Sequence, residues 1–492
     1  MSFASSVTPD GHRFNREATA AMNILHVESS LNWGGQEYRT LEETRWLNAA
    51  GHSAWIACNP ESELRRRAPA ECIPVPLRSS IDLPAAARIR RLCQERGIDV
   101  VHVHSPKDAW ICYPLHLARY PVVRSRQITN PVGRRWSRSF VYRHGCARVV
   151  AAAECIRAEL IRRNGVAGER VVVVGEGVDL GAFHPGRDGA AFRAEHAVPA
   201  DAILFGIVAM IRPEKGHAVF VAAAKKLLSS LSRVRFAIVG EGTGRRELEL
   251  ILRRELRESY GSIARGPIFM TGYRSDTPAV MSALDVLVVP STAEAQSLVV
   301  PQAFASQRAV IASNVGGLPE LVRHEETGLL VPPGDPGALA GAMRRLVDDS
   351  SLRWQLATNG LRFAREHLNF DRKMRQTIAI YQQVARAPTS RRRPLRPNAP
   401  GILLPVRPAV PRPRVRRRRL VVAVAVLLFC FGLVSPNSVL RRIQAGLRIM
   451  DATVWVGTRQ TQESPWQPMY HRHEDDEHAF VVLPSDDDDV LT

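Results

Sequence analysis

The rhythm of this sequence limits what it can fold into. From Met22 to about Phe370, short apolar runs alternate with amphipathic stretches. NILHVES, SAWIAC, VVHVHS, PVVRSR, RVVAAA and VVVVGEG form one series; ILFGIVAM, RFAIVG, IFMTG, DVLVVPS, RAVIAS and GLLVPP form a second. Runs such as VVVVG and DVLVV are apolar at consecutive positions, as in strands buried on both faces of a parallel sheet. Parallel neighbours need long crossovers, and AAARIRRLCQERG, AVFVAAAKKLLSSL and ALAGAMRRLVDD supply helical patterns between the runs. The expected class is therefore α/β, with two doubly wound domains facing across a cleft. In such sheets ligands sit beyond the carboxyl ends of the strands.

The stretch GVDLGAFHPGRDGAAFRAEHAVPAD separates the two series and has the Gly, Pro and charge content of a domain connection. The expected organisation is a disordered tail at 1–21, an N-terminal domain at 22–185 and a C-terminal domain with a closing helix at 186–387. Residues 388–419 form a Pro/Arg-rich linker, 420–440 a membrane anchor or span, and 441–492 an acidic, disordered tail. The net charge of +19 belongs mostly to the linker, which holds eleven Arg and no acid. That block is Pro-rich and has no interleaved aromatics for stacking bases, so its charge does not imply a nucleic-acid partner. Residues 420–440 carry no charge and would reach about 31 Å as a helix, close to a bilayer's hydrocarbon thickness. The arginines before them predict a cytoplasmic placement for the domains. The N-terminal residues have no apolar core of a secretory signal. The seven Cys show no C-x-x-C spacing, which reads as reduced thiols rather than a disulfide or zinc framework.

Polar groups collect where the crevice should lie. RPEKG follows a strand and opens a helix, placing Arg212 and Lys215 where an anion is favoured. VGEG supplies a second glycine turn at Gly240 and Gly242. Glu294 follows VLVVPS and can accept hydroxyl hydrogen bonds, while the turn through Ser297 and Leu298 can offer N–H groups to a phosphate. Gln302 lies eight residues beyond Glu294, a spacing that would place both on one helical face. VGGLPE then allows close backbone approach at Gly316 and Gly317. A polyhydroxyl group joined to a diphosphate needs this mixture of acceptors and donors.

These motifs, together with GGQEYRTLEE, RGIDVVHVHS, GEGVDLGAFHP, FMTGYRSD and ETGLLVPPGD in the same order, resemble the retaining glycosyltransferases of family 4. The resemblance spans roughly residues 22–387. It implies a GT-B fold of two Rossmann-like domains and transfer of a sugar from a nucleotide-sugar donor (UDP-, GDP- or ADP-linked) to a glycan or lipid-linked acceptor. It implies that Lys215, helped by Arg212, contacts the donor diphosphate, and that Glu294 contacts the donor sugar. It places Gln302 at the nucleotide ribose, Gly34 and Gly35 near the phosphates, and His104 beside the reacting carbon. Two positions depart from the family pattern: Met210 stands where a phosphate-binding Arg is usual, and Gln302 where Glu is usual.

Arg124 and Arg126, with Arg134 and Arg135, are read as N-domain loop cations suited to an anionic acceptor. The globular part contains no D-x-D, so neither a metal nor any other cofactor is expected. The resemblance implies retention by same-face attack, with the departing phosphate accepting the acceptor's proton, which would explain the lack of an obvious general base. The expected setting is bacterial envelope polysaccharide or lipopolysaccharide synthesis. A nucleotide-sugar epimerase and a non-catalytic, membrane-anchored assembly partner are the alternatives.

Overall fold

The computed structural model describes residues 20–128, 132, 136–242 and 247–386. The expected linker, membrane segment and acidic tail lie outside these residues, as do Arg134 and Arg135. The first sheet comprises β1 (Asn23–Glu28), β2 (Ser53–Cys58), β3 (Cys72–Pro74), β4 (Val100–Val103), β5 (Val122–Arg126), β6 (Arg148–Ala151) and β7 (Val171–Val173). The second comprises β8 (Ile203–Val208), β9 (Val234–Val239), β10 (Ile268–Gly272), β11 (Val286–Val289), β12 (Ala309–Ser313) and β13 (Leu329–Val331). The orders are β3-β2-β1-β4-β5-β6-β7 and β10-β9-β8-β11-β12-β13. Every pair is parallel. The chain is thus α/β with two Rossmann-like domains, as its rhythm requires.

Each sheet reverses its winding once, between β1 and β4 in the first and between β8 and β11 in the second. These switch points leave an open crevice at the strands' carboxyl ends. The residues next along the chain are Ser29, His104, Ala209 and Pro290, so the site is addressed by topology before any side chain is considered. Buried aliphatic clusters on both faces of each sheet hold the arrangement.

One expectation changes. The sequence places the closing helix, Phe370–Arg386, with the C-terminal domain, but its buried stripe of Met374, Ile378, Tyr381 and Val384 packs with Met22, Ile24, Val100 and Val123 of the first. The stripe recurs every three to four residues, so it fixes a buried face. The chain's path then delivers that face to the N-terminal sheet. Val178, in the domain connection, donates to Leu368 O at 2.8 Å and accepts from Phe370 N at 3.0 Å, so the outgoing and returning chains run side by side. Tyr381 is fully buried, with its hydroxyl 2.7 Å from His102 Nδ1.

Candidate functional site

A cavity of about 1030 Å³ lies between the two switch points and is lined from both domains. On the C-terminal side its centre is an ion pair, Lys215 Nζ to Glu294 Oε2 at 2.7 Å. Ser291 Oγ donates to the same oxygen at 3.0 Å. Two loops create this meeting. Thr292 N donates to Glu214 O at 2.9 Å, tying the loop after β11 to the one after β8. Gly216 has φ +73°, and a Cβ there would stand 1.9 Å from Pro290 O, so only glycine allows the loops this close. Behind Glu294, Gly317 N donates to Glu294 O at 3.1 Å. A Cβ on Gly317 would lie 1.9 Å from Ala295 O, which explains the glycine in VGGLPE.

Gly34, Gly35, Arg212, Lys215, Glu294, Ser297 and Leu298 all line the cavity. Gly34 and Gly35 bring the N-terminal domain against the other. Their Cβ positions would be 3.1 Å from Met210 Cε and 3.1 Å from Leu298 Cδ1, respectively. Arg212 stands 3.9 Å from Glu214. The domains also meet away from the cavity. The Glu320 carboxylate accepts from Glu154 N at 2.8 Å and Cys155 N at 2.9 Å, at the start of the helix Glu154–Arg162. Arg67 lies over the rings of Trp33 and Tyr273, 4.9 Å from each centroid.

Other expected residues lie elsewhere. His104 is buried and turned into the fold: its Nε2 sits 3.0 Å from His26 Nδ1, beside His102. Burial leaves all three imidazoles with pKa values below the ordinary range, with His26 near 4. They are the one cluster of metal-ligand type among the described residues, and it is no part of the cavity wall. Arg124 and Arg126 are strand residues of β5 rather than loop cations. Both are buried, and the Arg124 guanidinium lies 3.5 Å from the Tyr142 ring centroid. Gly240 packs against Ala209, and Gly242 N donates to Glu249 Oε2 at 2.8 Å; neither glycine is among the residues lining the cavity. Gln302 is buried in the helix Val299–Ala305, whereas Glu294 precedes that helix in a loop. The shared helical face expected of the two therefore does not exist.

The N-terminal wall is built from residues the motifs did not single out: Glu28, Gln36, Glu37, Lys107, Gln127 and Glu176. Glu28 is the last residue of β1, accepting from Gln36 Nε2 at 2.7 Å and Ser30 N at 3.1 Å. Burial, then the charges of Asp108 and Glu37, hold its carboxyl well above the usual range. Glu176 pairs with the buried Arg39 at 2.8 Å. A strand-end position at a switch point is the signal that could have found Glu28.

Residues 33–182 match the family described as Glycosyltransferase Family 4, and 202–349 match Glycosyl transferases group 1. The chain is 30% identical over 323 residues to a D-inositol 3-phosphate glycosyltransferase of Kineococcus radiotolerans, covering 59% of this chain and 72% of that protein. The chain belongs to glycosyltransferase family 4. A second family-4 relative, the D-inositol 3-phosphate glycosyltransferase of a Nocardioides species, is 33% identical over 257 residues. Those residues are 49% of this chain but only 56% of that protein, so the chain spans little more than half its length. The GT-B fold is shared with HepE of Anabaena, solved with UDP, at 21% identity and TM-score 0.64. It is shared too with a Rickettsia africae glycosyltransferase at 21% identity and TM-score 0.66. These likenesses cover 74% and 75% of this chain and the whole of each solved one. In this family-4 chain the unusual Met210 fills the gap against Gly34.

Proposed function

We propose that this family-4 protein moves a sugar, with retention, from a nucleotide-sugar donor to a hydroxyl of a glycan or lipid-linked acceptor. The carrying observation is the Lys215–Glu294 pair, held at 2.7 Å in a cavity that both switch points address. Breaking a sugar–phosphate bond puts negative charge on the leaving diphosphate. The Lys215 ammonium, Arg212 and the N–H groups around Ser297 and Leu298 are set to receive it. Glu294 suits the donor's hydroxyls, since a carboxylate accepts several hydrogen bonds. Lys107 and Gln127 on the opposite wall suit an acceptor with an anionic group, in keeping with relatives named for inositol 3-phosphate. HepE, solved with UDP and with UDP-glucose, makes a UDP-sugar the first donor to try. On this reading residues 420–440 hold the catalytic domains at the cytoplasmic membrane face, in envelope polysaccharide or lipopolysaccharide synthesis.

The test is a screen of UDP-, GDP- and ADP-sugars for thermal stabilisation, then mass spectrometry of acceptor mixtures. A true donor at a hundred times its dissociation constant adds about 2.7 kcal/mol to stability. Turnover to a free epimer without acceptor would move the assignment to an epimerase. Absence of any nucleotide-sugar binding would leave a non-catalytic partner, the reading favoured by Met210 and Gln302.

Two further outcomes follow from the site. Gly216→Ala forces the loop away from Pro290, and UDP affinity measured by calorimetry falls at least about tenfold, equivalent to about 1.4 kcal/mol. Transfer proceeds at full rate in EDTA, because fixed cations take the role a metal would have at the diphosphate. Lost activity restored by Mg²⁺ would contradict that assignment.

A further inference from the structure

The N-terminal wall of the cleft carries a polar side chain that is held at one end and open at the other. Gln36 is the second residue of the helix Gly35–Ala49. Its Nε2 donates to Glu28 Oε2 at 2.7 Å, while Glu28 Oε1 accepts from Ser30 N. Glu28 is fully buried at the carboxyl end of β1, so it fixes the amide from behind. Gln36 itself is half-buried and lines the cavity. Among the described residues nothing donates to its Oε1, which stays open to solvent. The neighbouring Glu37 is buried and turned back over the loop, its Oε2 3.2 Å from the place a Cβ on Gly34 would take. Gln36 directly follows the glycine that stands against Leu298. Its amide therefore opens at the seam between this wall and the C-terminal loop that carries Glu294 and Leu298.

Resting on the donor reading above, we infer that Gln36 recognises a hydroxyl of the donor's sugar and that Glu28 is the positioning residue behind it. On that reading the diphosphate lies with Lys215 and Arg212 on the C-terminal side. The sugar it carries then faces the opposite wall, where an acceptor can reach it and where the amide of Gln36 opens. A hydroxyl suits both protonation states of the pair, because it donates and accepts. With Glu28 ionised, Gln36 gives it an N–H and shows an oxygen to the sugar. With Glu28 protonated, the carboxyl donates to that oxygen and the amide turns its NH₂ group outward. Burial and the charges of Asp108 and Glu37 raise the Glu28 carboxyl above its usual range, which favours the second state. A substrate lacking the hydroxyl leaves the held amide without a partner in either state, and such a loss is how a polar site rejects an analogue.

The test is a cycle between protein and ligand, read by calorimetry on the full chain. Its probes are UDP, UDP-glucose and the singly deoxygenated forms of UDP-glucose. If the donor screen selects another nucleotide sugar, that compound, its deoxygenated forms and its free nucleotide replace them. On the wild type, one deoxygenated form binds about tenfold more weakly than the parent, the size of one hydrogen bond left unmade. In Gln36→Leu the parent weakens by the same factor, that deoxygenated form weakens no further, and UDP is unchanged. Glu28→Leu frees the amide and lowers UDP-glucose affinity about threefold, a part of that same hydrogen bond, without touching UDP. Glu28→Gln restores the affinity, since a buried amide holds Gln36 as the protonated carboxyl does. Three results would overturn the inference: UDP and UDP-glucose weakened alike by Gln36→Leu, every deoxygenated form losing as much in that variant as in the wild type, or no loss from the substitution. All three leave donor binding standing. A wild type that binds no nucleotide sugar in the screen removes the donor reading itself, and this inference with it.

Discussion

Lys215→Ala lowers donor turnover by about two to three orders of magnitude while leaving the fold intact. The size follows from what one preorganised donor contributes at a centre of developing charge, about 2.7–4 kcal/mol in a water-excluded site. The side chain is 25% exposed, and its partner Glu294 keeps the Ser291 hydroxyl when the ammonium is gone. The stability lost is about 1–3 kcal/mol, the cost of leaving a mostly buried acceptor short of a partner. Activity and stability therefore separate by measurement: steady-state kcat/KM on the donor against the denaturation midpoint. A variant that stays folded and loses less than tenfold in kcat/KM would remove Lys215 from the diphosphate.

The second large effect concerns the closing helix. Tyr381→Ala destabilises the N-terminal domain by about 3–5 kcal/mol, the range for truncating a fully buried aromatic. Part of the loss is polar, because His102 Nδ1 is left without the hydroxyl now 2.7 Å away. Tyr381→Phe isolates that part and costs about 1–3 kcal/mol. Urea denaturation read by amide exchange in β4 and β5 distinguishes the two variants. If Tyr381→Ala instead weakens β8 and β9, the helix belongs energetically to the other domain and the packing argument fails.

Much of this architecture could be read from the residues. Consecutive Val and Ile in VVVVG and DVLVV require strands covered on both faces, and the helical patterns between them require parallel pairing. Lys215 and Glu294 were legible because each sits one loop beyond a strand, where the crevice must be. The misplaced residues share a different cause. Arg124 and Arg126 belong to β5, and His104 follows His102 of β4 at the two-residue interval that repeats a sheet face. Such side chains point towards covering helices rather than past the strand end. Gln302 misled through spacing: eight residues make two helical turns only if the helix has begun, and it begins at Val299. The closing helix was visible as an amphipathic stripe, but a stripe cannot say which sheet it meets. That depends on Val178 running beside Leu368 and Phe370, a pairing between residues far apart in sequence.

The returning helix has a consequence for how this protein is made and recombined. On a ribosome, the first sheet emerges early, yet its outer layer is encoded last. The face formed by Ile24, Val100, Val123 and Val150 has Leu47 beside it but lacks Met374, Ile378, Tyr381 and Val384 until residues 370–386 leave the exit tunnel, although domains ordinarily complete themselves in order of synthesis. A gene cut between the two halves at the connection would therefore yield an amino-terminal fragment that aggregates. A hybrid enzyme that borrows its C-terminal domain from a relative must graft its final helix to suit the N-terminal half.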